Sequence, residues 1–353
     1  MHMSRRIRVL IVDDSLLFRA VLAKGIASDP DIEIVAAASD PFEARDRIID
    51  YGPDVMTCDV EMPRMNGIEF IRRLMPQYPI PVVVVSSVSD AVFGAMEAGA
   101  VDFVVKPDMS HVRDVETFIN ELIRKIKIAS AANRNQLGKN GASHNTAVQM
   151  KTEQNNTRST GRAEKEGRVI AIGASTGGTE AISKIMGSLP PDLPGIVIVQ
   201  HIPPVFSRMF AERLNNSSRL QISEARDGDW LENGRVLIAP GDAHMRLRKS
   251  GKRYRVEVFQ GEKVNGHCPS VDVLFESVAM ECGADAIGII LTGMGYDGAK
   301  GLLSMRKNGA LTMGQDESSC IVYGMPKVAY NIGAVEKQVS LDRIPQMLLS
   351  MLR

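Results

Sequence analysis

Apolar residues in this chain gather in short unbroken runs, and each run stops at a polar residue before a stretch of helical spacing begins. In the first third the runs are residues 7–12, 33–37, 55–58, 81–85 and 103–105, with helical patterns over 16–27 and 41–51. A run without alternation is the mark of a strand buried on both faces. Such strands alternating with helices predict a parallel sheet covered by helices on both sides, a doubly wound α/β domain.

From about 129 to 167 the pattern disappears. The stretch is Asn, Gln, Thr, Lys, Gly and Ser with isolated apolar residues, and it predicts a flexible linker. A tether of this kind holds two domains at high effective concentration while letting them separate. The pattern returns at 168. Strands are expected at 168–172, 195–200, around Ile222, at 235–240 and 286–291, with late short ones near 311–312 and 334–335. Helices are expected at 179–186, 206–215, 270–282 and 301–307, and a short one within 320–331. Segments 245–248 and 254–259 flank a basic tip, Lys249 to Arg253, and read as a hairpin with a solvated turn. The organisation is therefore one α/β domain over 1–128, a linker over 129–167, and a second α/β domain over 168–353.

The polar residues that end the runs carry the chemistry. Asp13, Asp14, Asp59, Ser86 and Lys106 all fall at carboxyl ends of strands in the first domain. That edge is where open α/β sheets bind ligands. Crowded carboxylates call for a cation, and hard oxygen donors with open positions suit Mg²⁺. A lysine and a hydroxyl beside them suit a phosphoryl group. In the second domain Ser175 lies in Gly173-Ala174-Ser175-Thr176-Gly177-Gly178, between a strand and a helix. Helix-opening N–H groups there suit a developing anion. A serine needs a base, and a histidine base needs an orienting acid. His201 and Asp297 also follow strands and complete that set, while the glycines around Met294 free its backbone N–H for an oxyanion. The G-x-S-x-G spacing matches α/β-hydrolases, but those place the acid before the histidine. No lysine follows Gly178, which excludes a P-loop, and the glycines do not fit a dinucleotide fingerprint. His267 and Cys268 read as loop residues, and Trp230 as a packing anchor.

Lys+Arg and Asp+Glu are both 42, so there is no general attraction to nucleic acid or anionic membrane. No apolar run approaches a bilayer-spanning length. Arg5, Arg6 and Arg8 lead straight into a strand, which is not a signal peptide. Four scattered cysteines without CxxC pairing read as reduced thiols of a cytoplasmic protein.

Val12-Asp13-Asp14-Ser15, the run from Asp59 to Gly67, Ser86 and Lys106-Pro107 resemble the receiver domain of two-component response regulators. The resemblance implies a flavodoxin-like fold in which Asp59 accepts phosphate from a histidine kinase. Asp13, Asp14, Asp59 and the Glu61 backbone carbonyl would hold Mg²⁺, and Ser86 and Lys106 would meet the phosphoryl oxygens. It also suggests a cis Lys106–Pro107 bond. Asn66 stands where aspartate is commoner, and the connection at 88–91 is shorter than expected. The whole chain is similar to chemotaxis response-regulator protein-glutamate methylesterases, the CheB family. The further motifs are Gln200-His201-Ile202-Pro203, Pro269-Ser270-Val271-Asp272, Leu291-Thr292-Gly293-Met294-Gly295 and Gln315-Asp316-Glu317.

This likeness implies a Rossmann-like catalytic domain with Ser175 as nucleophile, His201 as base and Asp297 as orienting acid. Thr176 and Met294 N–H groups would form the oxyanion hole. The implied substrates are glutamate methyl esters, and glutamines, on chemoreceptor cytoplasmic domains. The implied phosphodonor is a chemotaxis histidine kinase. No nucleic acid, membrane insertion or esterase cofactor is expected. An unphosphorylated receiver would cover the serine site. The competing reading is a phosphorylation-controlled binding module on a degenerate hydrolase fold.

Overall fold

The structure, a computed structural model, describes residues 5–87, 89–107, 111–140 and 167–353. Two compact units divide the chain near residue 147. In the first, the strands are β1 (Ile7–Val12), β2 (Ile32–Ala38), β3 (Val55–Asp59), β4 (Val82–Ser86) and β5 (Asp102–Val105). The helices are α1 (Leu16–Ile26), α2 (Pro41–Tyr51), α3 (Gly67–Leu74), α4 (Ser89–Glu97), α5 (Val112–Ser130) and α6 (Arg134–Asn140). All strand pairs are parallel, in the order β2-β1-β3-β4-β5. β3 and β4 are buried along their whole length, which is why their sequences run apolar without alternation. The order reverses between β1 and β3, and the crevice at such a reversal is the natural binding edge.

Helix starts are fixed by side chains. The Ser15 hydroxyl accepts from Phe18 N, Asp40 from Phe42 N and Glu43 N, and Asn66 from Glu69 N. Asn66 thus caps α3 as an aspartate would. Helix extends into the stretch read as linker: α5 runs to Ser130, and α6 buries Leu137. Residues 141–166 of that stretch lie outside the described residues, as does Val88 of the short connection before α4. The cis peptide bond among the described residues is Cys268–Pro269, not Lys106–Pro107. A prolyl bond has only a small intrinsic preference for trans, so local packing decides the isomer at each site.

The second unit contains β6 (Val169–Ala174), β7 (Gly195–Gln200), β8 (Gln221–Glu224), β9 (Trp230–Leu231), β10 (Arg235–Ile238), β11 (His244–Ser250), β12 (Arg253–Phe259), β13 (Ala286–Ile290), β14 (Leu311–Gln315) and β15 (Lys337–Val339). Its helices are α7 (Gly178–Ser188), α8 (Phe206–Ser217), α9 (Val271–Cys282), α10 (Ala299–Lys307), α11 (Met325–Asn331) and α12 (Ile344–Met351). Seven strands form a parallel sheet ordered β15-β14-β13-β6-β7-β10-β8. A smaller antiparallel sheet, β11-β12-β9, stands apart from it. α9 packs between the two sheets. Val271, Phe275 and Val278 of α9 join Val169 and Ala171 of β6 and Met245, Leu247 and Val256 of the hairpin in one core. The last strand lies at 337–339 rather than 334–335. Ala334 and Val335 are buried ahead of it, and the strand itself is an edge whose Lys337 and Gln338 are exposed.

Candidate active sites at two sheet edges

In the first unit the ends of β1, β3, β4 and β5 bring Asp13, Asp59, Ser86 and Lys106 to one edge. Asp13, Asp59 and Ser86 are buried, whereas Asp14 is exposed. Lys106 Nζ donates to Asp59 Oδ2 at 2.7 Å and to Asp13 Oδ2 at 2.9 Å. One ligand oxygen from each of Asp13, Asp14 and Asp59 lies within 4.8 Å of the others. Burial pushes the Asp59 carboxyl up; Lys106 pulls it down, and the neighbouring Asp13 charge adds to the rise. Burial disfavours the Lys106 charge, yet its bonds to Asp59 and Asp13 hold its pKa above the ordinary lysine value. A single ammonium therefore does not fully offset the buried negative charge. Glu61 N donates to Asp59 Oδ1 at 3.2 Å, so the peptide after β3 wraps the phosphoacceptor candidate.

In the second unit, backbone bonds stitch three strand ends together. Ser175 N donates to Thr292 O at 3.0 Å, His201 N to Ala174 O at 3.1 Å, and Leu291 N to Gly173 O at 2.9 Å. The Gln200 side-chain amide donates to Ser175 O at 2.9 Å and His201 O at 3.1 Å, tying the serine turn to the histidine. Gln315 Oε1 accepts from Thr292 N at 2.9 Å, and the Thr292 hydroxyl lies 3.0 Å from Thr176 O. Gly293 is obligatory here, because a Cβ would stand 2.6 Å from the Ser175 Cβ. Its N–H donates to Val322 O at 3.0 Å and its carbonyl accepts from Met325 N at 2.7 Å, which pins the loop carrying Met294. Met294 is itself exposed.

His201 Nε2 meets Asp297 Oδ2 at 2.8 Å, and both side chains are buried. Asp297 also accepts from Val271 N at 2.7 Å, Ser270 Oγ at 2.8 Å, Asn265 Nδ2 at 2.8 Å and Asp272 N at 3.3 Å. Burial would raise this carboxyl, but the hydrogen bond and charge of His201, followed by Asn265 and Val271 N–H, hold it far below the carboxylate range. It is an anion at any working pH. The third link is open. His201 Nδ1 is buried without a hydrogen-bond partner, so Ser175 Oγ is not bonded to it. Asp297 occupies Nε2, which leaves Nδ1 as the nitrogen for proton exchange. The His201 pairing followed from residue type and position at strand ends; the ring nitrogen involved did not. His267 and Asn265 lie inside the site; His267 stands in a tight turn, as its reading as a loop residue expected, but its ring lies against His201, a partner for which the sequence held no signal. The Asn265-Gly266 dipeptide, a strong tight-turn signal, marked the place. All four cysteines are free thiols.

A five-stranded parallel sheet of receiver order joined to a second parallel α/β unit is the organisation of a response regulator with an α/β output domain. Residues 9–115 match the response regulator receiver domain family, and residues 170–348 match CheB methylesterase. The chain belongs to the CheB methylesterase family. It is 59% identical to protein-glutamate methylesterase/protein-glutamine glutaminase 2 of Syntrophomonas wolfei, over 99% of this chain and 98% of that protein. It is 45% identical to the protein-glutamate methylesterase/protein-glutamine glutaminase of Escherichia coli, over 98% of this chain and 97% of that one. The crystal structure of the Thermotoga maritima CheB methylesterase catalytic domain is 35% identical, with a TM-score of 0.51, and covers 52% of this chain and 98% of that one. Among the described residues, no helix is long and apolar enough to cross a membrane.

Proposed function

We propose that the chain is a phosphorylation-activated protein-glutamate methylesterase, with Ser175, His201 and Asp297 as its reacting set and chemoreceptor glutamyl methyl esters as its substrate. The main support is the 2.8 Å bond between His201 and Asp297 at the sheet edge where the Ser175 turn is stitched. Ser175 Oγ attacks the ester carbonyl as its proton passes to His201 Nδ1. Asp297, fixed on Nε2, stabilises the imidazolium. Backbone N–H groups of Thr176 and Met294 receive the oxyanion. Collapse breaks the carbonyl–methoxy bond, and His201 gives its proton to the departing methanol. Water then attacks the acyl-serine, again losing a proton to His201, and glutamate leaves as Ser175 recovers its proton. A glutamine side chain follows the same course with ammonia as leaving group.

In the receiver, Asp59 takes a phosphoryl group from a chemotaxis histidine kinase. Asp13, Asp14, Asp59 and the Glu61 carbonyl suit Mg²⁺, since the donors are hard oxygens and their negative charge exceeds what Lys106 neutralises. When bound there, Mg²⁺ would supply charge neutralisation for phosphoryl oxygens, and Lys106 and Ser86 would orient them. Methanol release from methylated receptor membranes tests the reading. Ser175→Ala is expected to abolish it, and undiminished release would sink the assignment. A serine-directed phosphonate is expected to label Ser175, whereas a degenerate binding module stays unlabelled.

A further inference from the structure

Residues 264–267 close a two-residue turn. Val264 N donates to His267 O at 3.0 Å and His267 N to Val264 O at 2.9 Å. Asn265 has φ 53° and Gly266 φ 83°. Two successive left-handed residues make the turn of type I′, for which Asn-Gly is the preferred pair. Its side chains enter the triad at two points. Asn265 Nδ2 donates both to Asp297 Oδ1 at 2.8 Å and to Asp272 Oδ2 at 2.7 Å. The His267 ring lies flat on the His201 ring, with centroids 3.7 Å apart and planes within 7°.

Each contact meets a specific need. Asp272 and Asp297 are both buried; burial, and then the Asp297 charge, push the Asp272 carboxyl up. Two such carboxylates repel, and a neutral amide with two N–H donors can hold both without adding charge. His201 has a different problem. Its side chain has a single hydrogen bond, at Nε2, and Nδ1 has none. One bond leaves a ring free to pivot about it. A second flat ring against its face fixes the plane and with it the direction of Nδ1.

We infer that the Asn265-Gly266 turn is a positioning device for the reaction: Asn265 holds the acid, and His267 holds the plane of the base. The inference rests on the reading of Ser175, His201 and Asp297 as the reacting set. Neither residue exchanges a proton with substrate.

The test uses the full chain with a phosphodonor present and methanol release from methylated receptor membranes. Ser175→Ala is the reference. Asn265→Gly keeps the left-handed backbone accessible and removes only the amide. Asn265→Gly and His267→Ala are each expected to lower kcat on the order of ten- to hundredfold with KM unchanged, the signature of misplaced groups rather than lost binding. His267→Phe, which keeps a flat ring without nitrogens, is expected to recover most of the kcat lost in His267→Ala. Wild-type kcat in both turn variants, with Ser175→Ala inactive, overturns this inference alone. So does a loss carried wholly by KM, or a His267→Phe variant as slow as His267→Ala. Methanol release that survives Ser175→Ala brings down the esterase reading and this inference with it.

Discussion

At the scale of single residues, Asp297 is held by five donors. Both of its oxygens face donors: His201 and Val271 N on one, Asn265, Ser270 Oγ and Asp272 N on the other. An amide placed there points its NH₂ at another donor in either orientation. Asp297→Asn is therefore expected to cost roughly 10³- to 10⁴-fold in kcat and about 2 kcal/mol in stability, read from methanol release and denaturant unfolding. Glu180, in the first turn of α7, poses the opposite case. Burial pushes its carboxyl up to about 7. The folded form then favours the protonated acid, so stability is full below the ordinary glutamate value and falls as pH rises towards 7. Glu180 is only partly buried, which limits the effect. Glu180→Gln is expected to raise stability at pH 8 by at most about 2 kcal/mol and to change little at pH 4, in unfolding titrations at the two values. Ser175, His201 and Asp59 were legible in the sequence because each interrupts or ends an apolar run, where a polar residue needs a reason. The other four donors to Asp297 were not, because Ser270 Oγ, Val271 N and Asp272 N stand at the start of α9 and Asn265 on a separate tight turn, and only the folded chain brings them to one carboxylate.

At the scale of elements, pattern and structure agree most closely at a few elements, and the buried β6 and β14 run two and three residues past the runs expected for them. β1, α2 and β7 begin and end where the apolar runs and caps place them. Agreement fails at edges. β15 has no apolar run because one side of it meets water, and β9 is two residues of an antiparallel edge whose Trp230 ring lies under the Arg253 guanidinium, 4.3 Å away. α6 is hidden in a polar stretch because one buried leucine, Leu137, anchors it. Caps test the same logic. Asn66→Ala removes the acceptor for Glu69 N and is expected to cost about 1 kcal/mol. Asn66→Asp keeps the acceptor and is expected to leave thermal unfolding of the first unit nearly unchanged.

At the scale of the whole molecule, the candidate switch and the candidate reacting set each lie at the carboxyl edge of a parallel sheet. Deleting the residues before the linker is expected to raise the basal methanol-release rate, and the truncated chain is expected to ignore a phosphodonor. Asp59→Asn in the full chain is expected to lose the phosphodonor response. The stitching of Ser175, His201 and Leu291 by backbone N–H bonds across three strand ends bears on time as well as place. Amides held in this way exchange with solvent only when the strands part. The Ser175 and His201 amides are therefore expected to be among the slowest of the second unit to deuterate. Denaturant would then extinguish esterase activity and the second unit's secondary structure along one curve, and the enzyme would have no partly folded form that is still intact but idle.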